Sequence, residues 1–267
     1  MANDPGAGTA EAAGAGPGAG RLVHGGLDRF GADNGSADPV AAAALAALAA
    51  GTGSEHAALE ALARARLLVP VVAAAADEPS PGGHAPAGQA VEKGGEKASE
   101  MALPALVGAD GRRALPAFTS VAALARWQPS ARPVPADAAR VWQAAAQDSC
   151  AVVIDVAGPV PLAVEGARLA ALARGEPVPP LHADPDVAAA VAGAVGEAAA
   201  ALGLPAGQAG CALRPGVDGG DLLIELAPPP AAGAAAAEAL AGRVGSAVLS
   251  RLGPRLRRGI DLVIVGE

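Results

Sequence analysis

Residues 115–175 read LPAFTSVAALARWQPSARPVPADAARVWQAAAQDSCAVVIDVAGPVPLAVEGARLAALARG, and this stretch decides the fold class. Ser120 is placed to cap a short helix, and Pro135 with Asp137 is placed to start another. The apolar run at 150–156 has the length of a buried strand, and the stretch closes with a helix that ends at glycine. Strands and helices that alternate in this way predict a mixed α/β arrangement of the α+β class.

Upstream of this stretch, the pattern predicts two helices, a strand and a hairpin. The first helix follows Asp38 as its N-cap and stops at Gly51, and the second begins after Ser54. The apolar run at 67–72 predicts a buried strand. Two apolar runs within 101–114 flank a glycine-rich turn, which indicates a β-hairpin.

Downstream, the order of elements predicts a second, smaller unit. Asp184 precedes Pro185 and caps a long helix, and the alternating apolar residues of 211–227 read as a hairpin. A helix at 232–252 and a last strand, IDLVIV, follow. The resulting αββαβ unit, residues 181–267, is large enough to fold as a small α+β domain.

Two segments are too polar or too small in side-chain volume to form a core. Residues 1–36 contain mainly Gly, Ala, Pro and Asp without a period, which predicts a disordered tail. Residues 77–100 are rich in Pro, Gly and charge, which predicts a flexible insertion. The expected organisation is therefore two small domains, at 37–178 and 181–267, with the insertion inside the first.

Composition excludes several classes of function. The net charge of −8 argues against nucleic acid as the main partner, because nonspecific binding to phosphate depends on Lys and Arg. The two cysteines, Cys150 and Cys211, are too few for a secreted disulfide scaffold and are expected to be buried free thiols. The excess of Ala, Gly, Pro, Arg and Val is typical of proteins from high-GC bacteria such as actinobacteria.

The sequence also predicts a cytoplasmic protein without a membrane span. Its first residues lack a basic region followed by an apolar region, so they do not resemble a secretory signal. The longest apolar stretch, from Asp186, is mostly alanine and contains Glu197. A spanning helix needs about 20 strongly apolar residues, so this stretch is expected to be a soluble helix.

No combination of residues predicts a catalytic group, a metal site or a cofactor. Ser149 and Cys150 lack a nearby base, and Asp155 is expected to accept hydrogen bonds from turn amides around Gly158. The Gly51 turn lacks the frame of a phosphate-binding loop and is expected to join two helices. None of the four histidines has a partner at metal-ligand spacing; they are His24, His56, His84 and His182.

Four arginines form the sharpest charge feature of the chain. They lie in the segment RLGPRLRRG, before the last strand, and are Arg251, Arg255, Arg257 and Arg258. Guanidinium groups suit carboxylates and phosphates, so these residues could contact an anion or an acidic partner surface. Arginines at the end of a helix also cap carbonyl groups and complement the helix dipole, and both readings remain open.

Several motifs between residues 115 and 175 resemble the N-terminal domain of the SseB family, named for enhanced serine sensitivity. They are the LPAFTS run, Leu124 with Trp127, Pro133-Val134-Pro135, VVIDVAGPV and LAALARG. The resemblance extends over about residues 40–180, and the chain from Leu181 is similar in layout to the C-terminal domain that many members carry. The resemblance implies the family and transfers no catalytic residue.

These observations favour a non-catalytic cytoplasmic module for protein interaction or regulation. The alternative is a sensor or enzyme for an anionic metabolite, with a pocket between the two domains and the four arginines as receptors. Arginines that converge on a concave surface near Asp155 would favour the alternative. A third possibility, an accessory factor for secretion, requires an exposed apolar patch of more than a few hundred Å².

Overall fold

The computed structural model describes residues 30–73, 101–108, 111–217 and 220–266. The predicted insertion at 77–100 and most of the predicted tail lie outside the described residues, as do the two central residues of the 108–111 turn. Seven helices and three antiparallel or mixed sheets make up the described chain, which confirms the α+β class. None of the helices within the described ranges is long and apolar enough to cross a membrane.

The described residues form seven α-helices and ten strands. The helices are α1 (Pro39–Ala49), α2 (Glu55–Leu62), α3 (Val121–Trp127), α4 (Ala138–Gln147), α5 (Gly166–Arg174), α6 (Pro185–Ala201) and α7 (Ala234–Leu252). The strands are β1 (Arg66–Ala73), β2 (Met101–Ala102), β3 (Leu106–Val107), β4 (Arg113–Ala117), β5 (Arg132–Asp137), β6 (Ala151–Ile154), β7 (Leu162–Val164), β8 (Gly210–Pro215), β9 (Leu222–Ala227) and β10 (Ile260–Ile264). Short 3-10 turns occupy Leu181–Ala183 and Gly253–Arg255.

The helix starts follow the capping pattern of the sequence. Asp38 Oδ1 accepts hydrogen bonds from the amides of Val40 and Ala41, at 2.9 and 3.0 Å. The hydroxyl groups of Ser54 and Ser120 each accept an amide hydrogen bond at 3.1 Å. A cap satisfies amides that have no partner within the helix and is typically worth about 1 kcal/mol. The predicted starts of α1, α2 and α3 are thereby confirmed.

Two sheets form before residue 178. One has the order β2-β1-β5, and the other has the order β3-β4-β6-β7 with β4 and β6 parallel. The predicted hairpin is confirmed, because β3 and β4 pair antiparallel. A bridge between Leu68 and Phe118, with hydrogen bonds of 2.7 and 2.8 Å, connects the first sheet to the end of β4.

Strand β5 is an element that the sequence pattern did not predict. It contains Pro133 and Pro135, and it pairs with β1 along six residues. Proline cannot donate to a ladder, so it is tolerated in strands mainly at sheet edges, and β5 is an edge strand. The prolines before α4 therefore continue a strand, and the helix begins one residue after Asp137.

One apolar core fills the N-terminal part of the chain, here residues 30–178. It includes Trp142, which is fully buried, together with residues from α1, α2, α4 and α5 and from the strands of both sheets. A smaller cluster surrounds Phe118, whose ring stacks on Trp127 with centroids 5.3 Å apart. Both tryptophans serve packing, as the sequence predicts.

A separate core fills the C-terminal part, here residues 181–266. Its sheet has the order β10-β9-β8, with β8 and β9 antiparallel and β9 and β10 parallel. Leu222, Ile224 and Leu226 of β9 are fully buried against residues of α6 and α7. The order of elements is the predicted αββαβ. The division into two domains at 37–178 and 181–267 remains a prediction.

Candidate functional site

The four arginines that the sequence offers as an anion or partner contact have different partners in the structure. Arg251 pairs with Glu197 on α6 and also donates to the carbonyl oxygen of Ala190 at 3.2 Å. Arg258 Nε lies 3.3 Å from Asp221 Oδ1. The Arg257 side chain is exposed, and no carboxylate in the described part of the chain pairs with it. The cluster is therefore divided among separate contacts.

Arg255 belongs to a buried network of charges between the two cores. Its Nη2 lies 2.6 Å from Asp184 Oδ2, and its Nε lies 3.4 Å from Glu55 Oε1. Glu55 also pairs with Arg168. The side chain of Asp184 has no exposed surface, those of Glu55 and Arg168 are each 5% exposed, and that of Arg255 is 14% exposed. We call these four residues the junction network.

The charges of the junction network balance. Burial lowers the pKa of the Arg168 guanidinium, and the nearby carboxylate of Glu55 opposes that shift. The charges remain buried because each guanidinium faces a carboxylate, and removal of one partner would leave an uncompensated charge. The network connects α2, α5, the start of α6 and the turn after α7. Arg255 is consequently committed to a structural contact.

A second polar contact joins the two parts at the start of α5. Asp186 Oδ2 accepts a hydrogen bond from the amide of Ala167 at 2.6 Å, so a residue of α6 caps a helix of the N-terminal part. Gly166 has φ +59°, and a Cβ at this position would collide with the Asp186 carboxylate. Glycine is thus required both for the backbone conformation and for the approach of the cap.

Thr119 and Asp155 form a polar corner just beyond the carboxyl ends of the parallel strands β4 and β6. Asp155 Oδ1 and Oδ2 accept hydrogen bonds from the amide and the hydroxyl group of Thr119, at 2.9 and 2.7 Å. Gly158 instead donates its amide to the backbone carbonyl of Asp155, at 2.6 Å. The prediction that Asp155 accepts from this turn is correct for its backbone, whereas its side chain holds Thr119.

Residues 33–36, which lie within the predicted tail, pack against this corner. Arg66 Nε lies 2.6 Å from Asp33 Oδ2, and other nitrogens of the same guanidinium donate to the carbonyl groups of Ser36 and Thr119. The carbonyl of Gly35 accepts from the amide at the start of α3 at 2.9 Å. The corner is therefore covered by the chain itself, and the four arginines do not converge on Asp155.

Two concavities in the described residues each lie within one part of the molecule. One, of about 420 Å³, is lined by residues of β4, α4, β6 and α5 together with the residues next to them. The other, of about 840 Å³, is a shallow groove between α6 and α7. None of the four arginines lines either of them. Within the described ranges, no His, Cys, Asp or Glu residues form a group that could hold a metal ion.

The two thiols are half-buried and lie in different parts of the molecule. Burial raises the pKa of the Cys150 thiol, with a further contribution from Asp148, and burial raises the pKa of the Cys211 thiol. A raised pKa reduces the fraction of thiolate, which is the nucleophilic form. Neither cysteine has the electrostatic setting of an activated nucleophile.

Strand β10 presents an apolar edge to solvent. It is an outer strand of its sheet, and no other described strand pairs with its outer side. Val263, Ile264 and Val265 are 48%, 40% and 38% exposed. Exposed edge strands are usually protected by charge, proline or a covering element, because their free amides and carbonyls can bind another strand. This edge was absent from the sequence prediction, which identified the strand but not its position in the sheet.

The described residues define an α+β protein with two sheets before residue 178 and an αββαβ unit after it. Residues 42–171 match the family model of the SseB protein N-terminal domain. The chain carries that domain and belongs to the SseB family. No match was found among curated proteins or among solved structures.

Proposed function

We propose that this SseB-family protein is a non-catalytic module that binds a partner protein in the bacterial cytoplasm. The observation that supports the proposal is the open, apolar edge of β10. We propose that the occupant is an extended segment of the partner, added as a further strand beside β10. In this mode of recognition, backbone hydrogen bonds supply affinity and side-chain contacts supply specificity.

The backbone of β10 has hydrogen-bonding groups available for such a strand. The amide of Val265 donates to the carbonyl of Leu226 at 2.9 Å, which fixes the side of the strand that faces β9. Because backbone groups alternate between the two sides of a strand, the amides of Leu262 and Ile264 face outward. They can pair with an added strand while the bonds to β9 are retained.

Charge favours a partner segment that carries carboxylates. Arg257 lies three residues before β10, is exposed, and has no carboxylate partner within the described ranges. A guanidinium in this position can bind a carboxylate of the incoming strand. The net charge of −8 disfavours nucleic acid as the occupant. An acidic, extended segment of a different protein fits both the edge and the arginine.

The proposal is tested by cross-linking from the edge itself. A photoreactive amino acid replaces Val263, the protein is irradiated in its own cells, and the cross-linked peptide is identified by mass spectrometry. That peptide is then synthesised, and its affinity for the purified full chain is measured by fluorescence anisotropy. We expect one extended segment that contains Asp or Glu.

Two matched pairs of variants make the test specific. Val263→Lys should abolish binding, whereas Leu249→Lys on α7, also 48% exposed, should leave it unchanged. Arg257→Gln should weaken binding about threefold, because an exposed ion pair contributes up to roughly 1 kcal/mol; Arg243→Gln on α7 is its control. The proposal would be contradicted if cross-links formed only to a second copy of the chain. It would also be contradicted if Val263→Lys and Leu249→Lys lost affinity for the peptide equally.

The alternative, an anionic metabolite held between the two parts, has less support from the geometry. Arg255 is committed to the junction network, Arg251 pairs with Glu197, and Arg258 lies beside Asp221. Within the described part of the chain, these guanidinium groups do not meet at one site. We therefore place partner recognition at β10 and retain only Arg257 from the predicted cluster as a contact residue.

A further inference from the structure

The concavity of about 420 Å³ in the N-terminal part has the size of a small-molecule site. It opens between the start of β4, the turn that joins α4 to β6, and the start of α5. Its charged and polar lining residues are Arg112, Arg113, Ser149, Cys150 and Glu165. No residue of the β10 edge contributes to it, so it is independent of the proposed partner-binding surface.

One guanidinium in this cavity has no ion-pair partner within the described residues. Arg112 pairs with Glu165 at 2.6 Å across the cavity. Arg113 is exposed and has no ion pair within the described residues, yet its charge lies close enough to the Cys150 thiol to act on it. The lining therefore combines one internal ion pair with one guanidinium that is available to an anion.

The remaining lining is apolar. It is formed by Leu169, which is 6% exposed, and by alanines of α4, β6 and α5. The protonated thiol of Cys150 adds a neutral, weakly polar wall. Such a surface can cover a short hydrocarbon chain but supplies few donors for a polar molecule.

We propose that this cavity binds a small monocarboxylate with a short aliphatic chain. The carboxylate lies on Arg113, where a planar guanidinium can donate two parallel hydrogen bonds, and the chain lies against Leu169 and the alanines. A doubly charged phosphate fits less well, because the Glu165 carboxylate lines the same cavity and Asp148 lies near Cys150. The site therefore selects a single negative charge attached to an apolar group.

Cys150 provides a direct reporter of occupancy. In the full chain with Cys211→Ser, Cys150 is the only thiol, and its rate of modification by N-ethylmaleimide is measured with and without sodium hexanoate. Bound hexanoate covers the thiol. At a hexanoate concentration of twice the Kd, modification of Cys150 should therefore be about threefold slower. Hexanol, which lacks the charge, and hexyl phosphate, which carries more charge, should protect less than hexanoate at the same concentration.

The contribution of Arg113 is tested by Arg113→Gln, with Arg126→Gln, an exposed arginine of α3, as the control. Arg113 also affects the reactivity of the thiol. Protection is therefore expressed, for each variant, as its modification rate without hexanoate divided by its modification rate with hexanoate. The ratio should fall to one in Arg113→Gln and remain unchanged in Arg126→Gln. Saturation-transfer NMR of hexanoate provides a second measurement without thiol chemistry.

Three outcomes would overturn the inference. They are no protection at any soluble concentration of hexanoate, equal protection by hexanol, and full protection in a folded Arg113→Gln variant. Equal protection by hexyl phosphate would reassign the site to anions in general. Since Val263→Lys leaves the cavity intact, it should not change protection, and failure at the β10 edge is thereby distinguished from failure here.

Discussion

The two parts of the molecule use different side chains to form their cores. The N-terminal core contains Trp142, and the stacked rings of Phe118 and Trp127 form a second cluster beside it. The C-terminal core contains Val, Leu, Ala and Ile, and the sequence from Leu181 onward has no aromatic residue. Large, distinctive side chains identify the N-terminal part, whose match to the family ends at residue 171. The C-terminal part is specified mainly by the period of small apolar residues.

The largest expected effects come from opening each core in turn. Trp142→Ala should cost about 3–5 kcal/mol and Leu240→Ala about 2–5 kcal/mol, because both side chains are fully buried. Unfolding by urea is followed by tryptophan fluorescence, which reports only the N-terminal part, and by circular dichroism, which reports both parts. Trp142→Ala should shift the fluorescence transition, which Trp127 still reports.

The same pair of variants tests the predicted division into two domains. If 37–178 and 181–267 fold as separate units, Leu240→Ala should shift part of the dichroism signal and leave most of the fluorescence transition in place. A fluorescence transition that moves as far in Leu240→Ala as in Trp142→Ala would show one cooperative unit. In that case the two cores differ in the side chains that they pack, but they do not belong to separate folding units.

A smaller effect is expected from the junction network. Arg255→Met removes a guanidinium from two buried carboxylates, Asp184 and Glu55, and should lower the free energy of unfolding by about 3 kcal/mol. Because Glu55 belongs to the N-terminal part and Asp184 to the C-terminal part, both spectroscopic transitions should move. Arg243→Met on α7 is the control. A loss no greater than that of the control would contradict the assigned role of Arg255.

The smallest effect concerns the two thiols, one in each part. Their pKa values are raised in the folded protein, so the folded state binds the thiol protons more tightly than the unfolded chain does. This contribution is fully present below the unfolded thiol pKa of about 8.5 and is lost as the pH rises through the folded values. The free energy of unfolding, measured by urea titration from pH 7 to 10, should therefore decline less in a Cys150→Ala, Cys211→Ala variant. An identical decline would refute the prediction.

Local chemistry made most of the fold predictable from the sequence. Asp38, Ser54 and Ser120 occupy the cap positions that their residue types indicate, because a cap depends on only a few neighbouring residues. Strand β5 was missed since Pro133 and Pro135 are poor strand formers in isolation, and pairing with β1 decides their conformation. An edge strand can therefore contain prolines that local strand propensity disfavours.

The candidate sites were less predictable because their contacts are distant in the sequence. Glu55 and Arg168 are 113 residues apart, and nothing in the neighbourhood of either indicates the other. The arginine cluster was visible as a run of charge, but its division among Asp184, Glu197 and Asp221 depends on the tertiary fold. Arg113 and the cavity beside it carried no sequence signal at all.

The cap that Asp186 provides for α5 also bears on synthesis of the chain by the ribosome. The family-matched segment ends at residue 171, so it leaves the ribosome before Asp186 does. The hydrogen bond from Ala167 to Asp186 can form only after both residues have been made. This junction between the two parts is therefore one of the contacts that synthesis from the N-terminus leaves until after the family-matched segment is complete.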